Sequence, residues 1–194
     1  MRLIVGMSGA SGAIFGIRLL EILKDVPDLE THLVMSSAAK LNIKVETDHD
    51  IGSITSLADE IHNNRNIAAS IASGSFKTKG MIIAPCSMKT LSGIVHSYAD
   101  NLLLRAADVV LKEHRRLVVA PRESPLHSGH CRLLYEASML GVIIAPPMPA
   151  MYNRPRTIDD MVNHTVGRLL DQFDIDPGIT KRWQGWTGNE VKTV

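Results

Sequence analysis

The fold of this chain is decided by the stretch Leu3-Ile4-Val5-Gly6-Met7-Ser8-Gly9-Ala10-Ser11-Gly12. A short apolar run leads into a glycine-rich turn, and a helical pattern over residues 13–23 follows. Glycines permit a tight turn and close backbone approach, while the N-terminus of the helix offers unpaired N–H groups and a positive dipole end. The turn over residues 6–12 is therefore typical of a cradle for an anion, usually a phosphate group.

Four later apolar runs resemble the first one in being short, continuous and bounded by turn residues. They cover residues 31–35, 81–84, 117–120 and 142–145. Runs without alternation indicate strands that are buried on both faces of a parallel sheet. Helical patterns lie beside them at residues 13–23, 36–45, 67–72, 90–95, 102–112, 130–140 and 158–173.

This alternation of strand and helix predicts an α/β fold: a three-layer, Rossmann- or flavodoxin-like domain with a mostly parallel, doubly wound sheet. We expect a single α/β domain over residues 1–176. Residues 177–194 form a C-terminal tail that is expected to pack near the active site or on a neighbouring subunit.

Composition excludes several other classes of protein. The 194 residues carry a net charge of +1, which argues against nucleic acid as a partner. The two cysteines make no disulfide framework and no Cys/His set has the spacing of a zinc site. The chain shows neither a signal region nor an apolar run long enough to span a membrane, so we expect a cytoplasmic protein.

Ligands of doubly wound sheets bind beyond the carboxyl ends of the strands, so the residues that follow each strand matter most. The first turn has the spacing Gly-x-x-Gly-x-x-Gly, and the second strand ends at Met35-Ser36-Ser37 without the acidic residue that holds a nicotinamide ribose. NAD is therefore disfavoured and a mononucleotide is favoured. A second anion-binding turn follows the strand over 81–84, where Ser87 is a good N-cap.

The last two strands are also followed by residues with chemical uses. In Pro121-Arg122-Glu123-Ser124-Pro125, Arg122 can clamp a phosphate group and Glu123 can move a proton; a salt bridge that only pins the loop is the alternative. The proline-rich loop after residue 145 ends on Tyr152, whose hydroxyl can reach a ligand. Cys86 is more typical of an inert buried thiol than of a nucleophile.

These and other motifs together resemble the UbiX/Pad-type flavin prenyltransferases from residue 2 to about Trp183. The motifs are Gly9-Ala10-Ser11-Gly12, Glu46-Thr47, Ser73-Gly74-Ser75-Phe76, Pro85-Cys86-Ser87-x-Lys89-Thr90-Leu91, Arg105-Ala106-Ala107-Asp108-Val109, Leu111-Lys112-Glu113, Pro121-Arg122-Glu123, Pro146-Pro147-Met148-Pro149-Ala150-x-Tyr152 and the tail Lys181-Arg182-Trp183-Gln184-Gly185. Met151 departs from the phenylalanine usual before the tyrosine.

The resemblance implies an activity, an assembly and a partner. Such proteins form dodecamers and join the dimethylallyl group of dimethylallyl phosphate to reduced FMN, at N5 and C6, without a metal. The product, prenylated FMN, is the cofactor of partner UbiD-type decarboxylases, in ubiquinone synthesis or in aromatic acid decarboxylation. Their older names are aromatic acid decarboxylase and decarboxylase subunit.

The resemblance also implies three sets of site residues. The flavin is expected at Gly9, Ala10, Ser11, Ser36, Ser87, Met88, Lys89, Thr90 and Arg122. Dimethylallyl phosphate is expected at Lys112, Arg122, Tyr152 and Arg168, with Arg105 nearby and Trp183 closing the site. Catalysis is expected to involve Ser11, Glu46 and Glu123.

Two alternatives remain open from the residues alone. A non-catalytic, flavin-carrying subunit of a decarboxylase would need the glycine turn but not Lys112, Arg122, Tyr152 and Arg168 together. A flavoprotein decarboxylase acting oxidatively on cysteine would have a similar flavin site, and the phosphate clamp would be superfluous for it. The joint presence of the clamp residues favours the transferase.

Overall fold

A computed structural model describes residues 1–180 and 182–185 of the chain. Its centre is a six-stranded parallel sheet with the strand order β3-β2-β1-β4-β5-β6. The strands are β1 (Arg2–Met7), β2 (Glu30–Met35), β3 (Glu60–His62), β4 (Gly80–Cys86), β5 (Arg116–Pro121) and β6 (Ile143–Ile144). The order reverses between β1 and β4, which places the ligand crevice of such a fold at the carboxyl ends of those two strands.

Successive residues of each central strand enter opposite faces of the sheet, as the pleat requires. Val5, Leu33 and Ile82 lie in one apolar cluster, whereas Ile4, Val34 and Ile83 lie in the other. All six are at most 1% exposed. Burial on both faces explains why these strands read as continuous apolar runs in the sequence.

Helices cover both faces of the sheet. They are α1 (Ala13–Lys24), α2 (Ser37–Glu46), α3 (Ile51–Thr55), α4 (Met88–Val95), α5 (Leu102–Lys112), α6 (Ser128–Met139) and α7 (Ile158–Asp171). One layer contains α1, α2, α3 and α7, and the other contains α4, α5 and α6. The chain after α7 returns to it, because Arg182 forms ion pairs with Asp171 (2.8 Å) and Asp176 (2.9 Å).

The fold class predicted from the sequence is confirmed, with differences at the less apolar elements. The helix expected over 67–72 is reduced to a 3-10 turn, Ser70–Ala72. Neither β3 nor α3 was predicted, because β3 is a three-residue edge strand with an exposed Ile61 and α3 is a single short turn of helix. Both elements are stabilised by tertiary contacts, and neither has a periodic apolar pattern from which it could be predicted.

Candidate active site at the carboxyl edge of the sheet

The loops after β1 and β4 are joined by one buried hydroxyl. Ser8, 1% exposed, donates from Oγ to the carbonyl of Pro85 (3.1 Å) and accepts from the backbone N–H of Ser87 (2.8 Å). Its own backbone N–H also donates to the Pro85 carbonyl, at 3.1 Å. Ser8 therefore fixes the two walls of the crevice at the switch point relative to each other.

The glycine-rich turn packs against α2 at close range. A Cβ atom added to Gly9 would overlap the Cβ of Ala38, so this turn can approach α2 only without a side chain there. Gly12 has φ of 106°, in the left-handed region where glycine is favoured. Asn42 of α2 donates from Nδ2 to the carbonyl of Ala10 (2.8 Å), which holds the turn in place.

The N-terminus of α1 is capped by the side chain of Glu46. One carboxylate oxygen accepts hydrogen bonds from the backbone N–H groups of Gly12 (2.8 Å) and Ala13 (3.0 Å). An anionic group therefore occupies this helix N-terminus, and it is the protein's own Glu46 carboxylate. Glu46 thereby lies directly beside Ser11, at the rim of the crevice.

Two other helices begin at the crevice with serine caps, of which the sequence analysis predicted the cap at Ser87. Ser36 caps α2 by accepting from Ala39 N–H (3.0 Å), and Ser87 caps α4 by accepting from Thr90 N–H (3.2 Å). In the α4 turn Met88 and Thr90 are buried, whereas Lys89 is exposed. The first-turn N–H groups of α2 and α4 thus flank the carboxyl end of β1 from both sides.

Arg122 and Glu123 lie at the carboxyl end of β5, next to β4. The backbone N–H of Arg122 donates to the carbonyl of Cys86 (3.1 Å), which ties the β5 loop to the β4 loop. Both side chains are exposed, and Glu123 Oε1 accepts from the backbone N–H of Ser124 (3.1 Å). A cation and a carboxylate are therefore presented to the crevice from a third loop.

Cys86 is fully buried at the end of β4. Desolvation raises the pKa of its thiol to about 12. A thiol with that pKa stays protonated at neutral pH, which makes it a poor nucleophile. The sequence-based interpretation of Cys86 as a packing residue agrees with this burial.

Tyr152 belongs to a second group of side chains, between the loop after β6 and α7. Its hydroxyl lies 3.3 Å from Nε2 of His164, and its ring packs edge-on against Trp183, with centroids 5.7 Å apart. His164 is 8% exposed, and desolvation together with the nearby Arg168 lowers its pKa. The imidazole is therefore held neutral beside the phenol.

Arg168 lies one helical turn after His164 on α7. It lines a cavity of about 120 Å³ together with Pro146, Met148 and His164, and its Nη1 pairs with Asp171 at 2.6 Å. Because Asp171 also pairs with Arg182, the segment that carries Trp183 is anchored next to this cavity. The structure thus brings Tyr152, Arg168 and Trp183 together, as expected.

Arg105 and Lys112 are not part of either group within one chain. Arg105, in α5, donates to the Ala72 carbonyl (3.2 Å) and pairs with Asp108 (2.7 Å). Lys112 ends α5 just before β5 begins and pairs with Glu113. The six-residue β5 separates Lys112 from Arg122 by roughly 20 Å, so Lys112 lies at the amino edge of the sheet.

Two further observations concern ions and membranes. Within residues 1–180 and 182–185, no three His, Cys, Asp or Glu side chains come together as metal ligands would. In the same residues, none of the helices has the length and apolar character needed to cross a bilayer.

A doubly wound sheet with capped helix N-termini at its switch point is typical of nucleotide-binding proteins, and residues 1–169 match the family model described as Flavoprotein. Flavin prenyltransferase UbiX of Escherichia coli strain K12 is 60% identical over 186 residues, covering 95% of this chain and 98% of that protein. The chain therefore belongs to the UbiX flavin prenyltransferase family.

Solved structures agree with this assignment. A dodecameric, FMN-dependent UbiX-like decarboxylase from Escherichia coli O157:H7 superposes with a TM-score of 0.94 at 54% identity, covering 95% of this chain and all of that one. AnUbiX (PadA1), solved in complex with FMN and dimethylallyl pyrophosphate, gives 0.93 at 48% identity, covering 95% and 98%.

Sequence reasoning missed three residues that shape these groups. Ser8 and Asn42 act through backbone carbonyls across the fold, and His164 is buried behind Tyr152. The signals were weak: a serine inside a glycine-rich turn, an asparagine in a polar helix and a histidine four residues before Arg168. Each becomes informative only when the loops are placed in space.

Proposed function

We propose that this protein transfers the dimethylallyl group of dimethylallyl phosphate to reduced FMN, at N5 and C6, and so makes prenylated FMN. The observation that supports this most directly is the Tyr152 and Arg168 group beside the β1/β4 switch point of a doubly wound sheet, in a chain 60% identical to a flavin prenyltransferase. A simple flavin carrier would not need the second group.

The crevice residues fit FMN. The close approach of Gly9 to α2 requires a glycine, so the turn carries no side chain at that position. Ser36, Ser87 and Arg122 supply N-terminal helix N–H groups, hydroxyls and a guanidinium for the phosphate and ring edges. Bound reduced FMN supplies the electron-rich N5 and C6 atoms to which the prenyl group is joined.

The second group suits the phosphate of the prenyl donor. When the phosphate leaves, negative charge accumulates on its oxygens, and the Arg168 guanidinium and Tyr152 hydroxyl can hold it without a metal. Trp183 and the proline-rich loop would exclude water from the developing carbocation, whose charge an aromatic face can stabilise. The donor is a monophosphate in this proposal; AnUbiX was solved with a diphosphate.

Proton handling is assigned to Ser11, Glu46 and Glu123. Glu46 already accepts two backbone N–H groups beside Ser11, which supports a role at the turn where we propose that the flavin binds. Glu123 is bound only by a neighbouring N–H group and can swing into the crevice. A carboxylate that is exposed and adjustable can take the proton released when the new ring closes.

We further propose that the site is completed by assembly. Arg105 and Lys112 lie outside both groups in one chain, and a similar protein is dodecameric. A neighbouring copy would bring Lys112 to the donor phosphate, in a homo-oligomer of twelve chains.

We also propose that residues 1–176 form one domain and that the protein is located in the cytoplasm. The product would be used by a UbiD-type decarboxylase.

The test is mass spectrometry of the flavin after incubation of the protein with reduced FMN and a donor. Dimethylallyl phosphate should give a flavin heavier by one prenyl group, and dimethylallyl diphosphate, used separately, measures donor choice. An FMN-loaded, folded protein that leaves the flavin mass unchanged with both donors would contradict the proposal and revive the carrier alternative.

A further inference from the structure

A second, larger cavity also has His164 in its lining. Its volume is about 480 Å³, which is within the range of small-ligand sites. The lining comes from the loop after Tyr152, from the start of α7 and from the segment before Arg182: Asn153, Arg154, Pro155, Arg156, Asp160, Asn163, His164, Ile179 and Thr180.

Three polar atoms in this lining are buried without a hydrogen-bond partner among the described residues. They are Oδ1 of Asn153, Nδ1 of His164 and Oγ1 of Thr180. His164 is 8% exposed, so its Nδ1 cannot turn to bulk solvent. Such groups cost free energy unless something in the cavity binds them, and three around one space indicate a polar occupant. Because Asn153 Oδ1 only accepts, whereas Nδ1–H of His164 and the Thr180 hydroxyl can donate, that occupant must offer both acceptor oxygens and an O–H donor.

The surrounding groups are mostly donors. Asn163 uses its Oδ1 to accept from Nε of Arg18 (2.7 Å), which leaves its Nδ2 as a donor. The only lining carboxylate, Asp160, is taken up by the backbone N–H groups of Arg156 (2.8 Å) and Thr157 (3.0 Å). Two guanidinium groups, Arg154 and Arg156, add positive charge.

We propose that this cavity is an oxyanion site that binds a phosphate group, held by Arg154, Arg156 and Nδ1–H of His164. It is distinct from the donor site, because Arg168 and Pro146 line the smaller cavity and Arg154 and Arg156 line the larger one. His164 is shared: when its Nδ1–H donates to the oxyanion, its Nε2 accepts the single proton of the Tyr152 hydroxyl, which in that state is not available to the donor phosphate. This site does not depend on the proposed transfer reaction.

Binding can be measured by calorimetric titration of inorganic phosphate into the FMN-loaded protein, without turnover. The paired substitution Arg154→Gln and Arg156→Gln should weaken binding at least tenfold, since charge-assisted bonds to phosphate are lost. Thr180→Val, a smaller change, should weaken it less. Arg132→Gln is the matched control, because Arg132 is exposed on α6, away from the cavity.

A fourth variant, Arg168→Gln, separates the two sites. Retained phosphate binding in that variant, with loss in the Arg154 and Arg156 pair, supports the proposal. Three results would overturn it. They are loss of phosphate binding in the single variant Arg168→Gln, equal phosphate binding by the native protein and the Arg154→Gln and Arg156→Gln double variant, and no phosphate binding by the native protein. A parallel titration with an alkyl monophosphate shows whether free or esterified phosphate is preferred.

Discussion

At the scale of single residues, the crevice depends on side chains that tie its loops to one another. Ser8 is the clearest case, because its hydroxyl serves both the Pro85 carbonyl and the Ser87 N–H. Ser87 is the N-cap of α4, and the first turn of that helix contains Lys89 and Thr90. The position of several flavin-contacting candidates therefore depends on a residue that the sequence pattern did not distinguish.

Removing the Ser8 hydroxyl should loosen the flavin site. In Ser8→Ala the Ser87 N–H loses its acceptor, at a cost of about 1–3 kcal/mol. We expect a lower midpoint of thermal unfolding and weaker FMN binding, followed by flavin fluorescence. Ser70→Ala, at an exposed position, is the control; equal effects from both variants would remove Ser8 from this role.

Glu123→Gln keeps the shape of the side chain and removes its ability to accept a proton. We expect unchanged FMN binding and prenylated flavin formation slowed by about 10²–10⁴-fold, the usual contribution of a general base. Single-turnover kinetics with reduced FMN give the rate. Turnover at the native rate would exclude Glu123 as the proton handler.

At the scale of elements, the sequence predicted well what burial dictates. The strands at residues 31–35, 81–84 and 117–120 were recognisable because both of their faces are apolar, and α5 was found at its observed bounds. What escaped was determined across space: the short β3, α3, and the carboxylate of α2 that caps α1. No local pattern predicts that Glu46 accepts a hydrogen bond from Gly12, which lies 34 residues earlier in the chain.

That cap predicts a stability effect separable from chemistry. Glu46→Gln removes a negative charge from the positive end of α1, which costs about 0.3–1 kcal/mol. For a chain of this size the midpoint of thermal unfolding should fall by roughly 1–4 °C, at fixed protein concentration. Asp48→Asn, a nearby exposed charge, is the control; a fall of the same size there would mean a nonspecific charge effect.

The pairing of β2 with β3 contains a pH-sensitive contact. Nδ1 of His32 lies 2.9 Å from Nε2 of His62, and Phe76 packs edge-on against His32. Desolvation lowers the pKa of both imidazoles, for His62 with a contribution from His32, although Glu30 and Glu60 oppose the shift. The hydrogen bond requires that at least one ring stay neutral.

Acid should therefore weaken this part of the sheet. Because the folded-state pKa values lie below the ordinary 6.5, the unfolded chain binds protons first, and stability falls as pH drops through about 6.5. The slope is at most about 1.4 kcal/mol per pH unit for each ring. Thermal unfolding between pH 7.5 and 5 should show a shallower dependence in His62→Gln than in His49→Gln; identical slopes would contradict this interpretation.

At the scale of the whole molecule, the two edges of the sheet carry different parts of the proposed site. Arg122 and Tyr152 follow strands at the carboxyl edge, whereas Lys112 precedes β5 at the amino edge. Sequence analysis assigned all three residues to one binding site, because motifs do not show which copy of the chain supplies each residue. A single chain cannot bring them together without unfolding β5.

Mixing experiments test this sharing of the site. Lys112→Ala and Arg122→Ala variants should each be inactive as pure assemblies. After dissociation and reassembly of equal amounts, about a quarter of the sites should combine both native residues, because each is drawn independently from two subunit types. Recovery of prenyl transfer activity would show that such shared sites form. If no activity is recovered, both residues belong to the site of one subunit.

The contrast between the two cysteines has a practical consequence. Cys86 is sealed in the core, whereas Cys131 is exposed on α6, beside a surface where Tyr135 and Met139 are also exposed. The native chain thus carries one thiol open to alkylating dyes, without any engineering. A fluorophore attached there would record, through its accessibility and energy transfer between copies, whether that helix is covered as the chains associate.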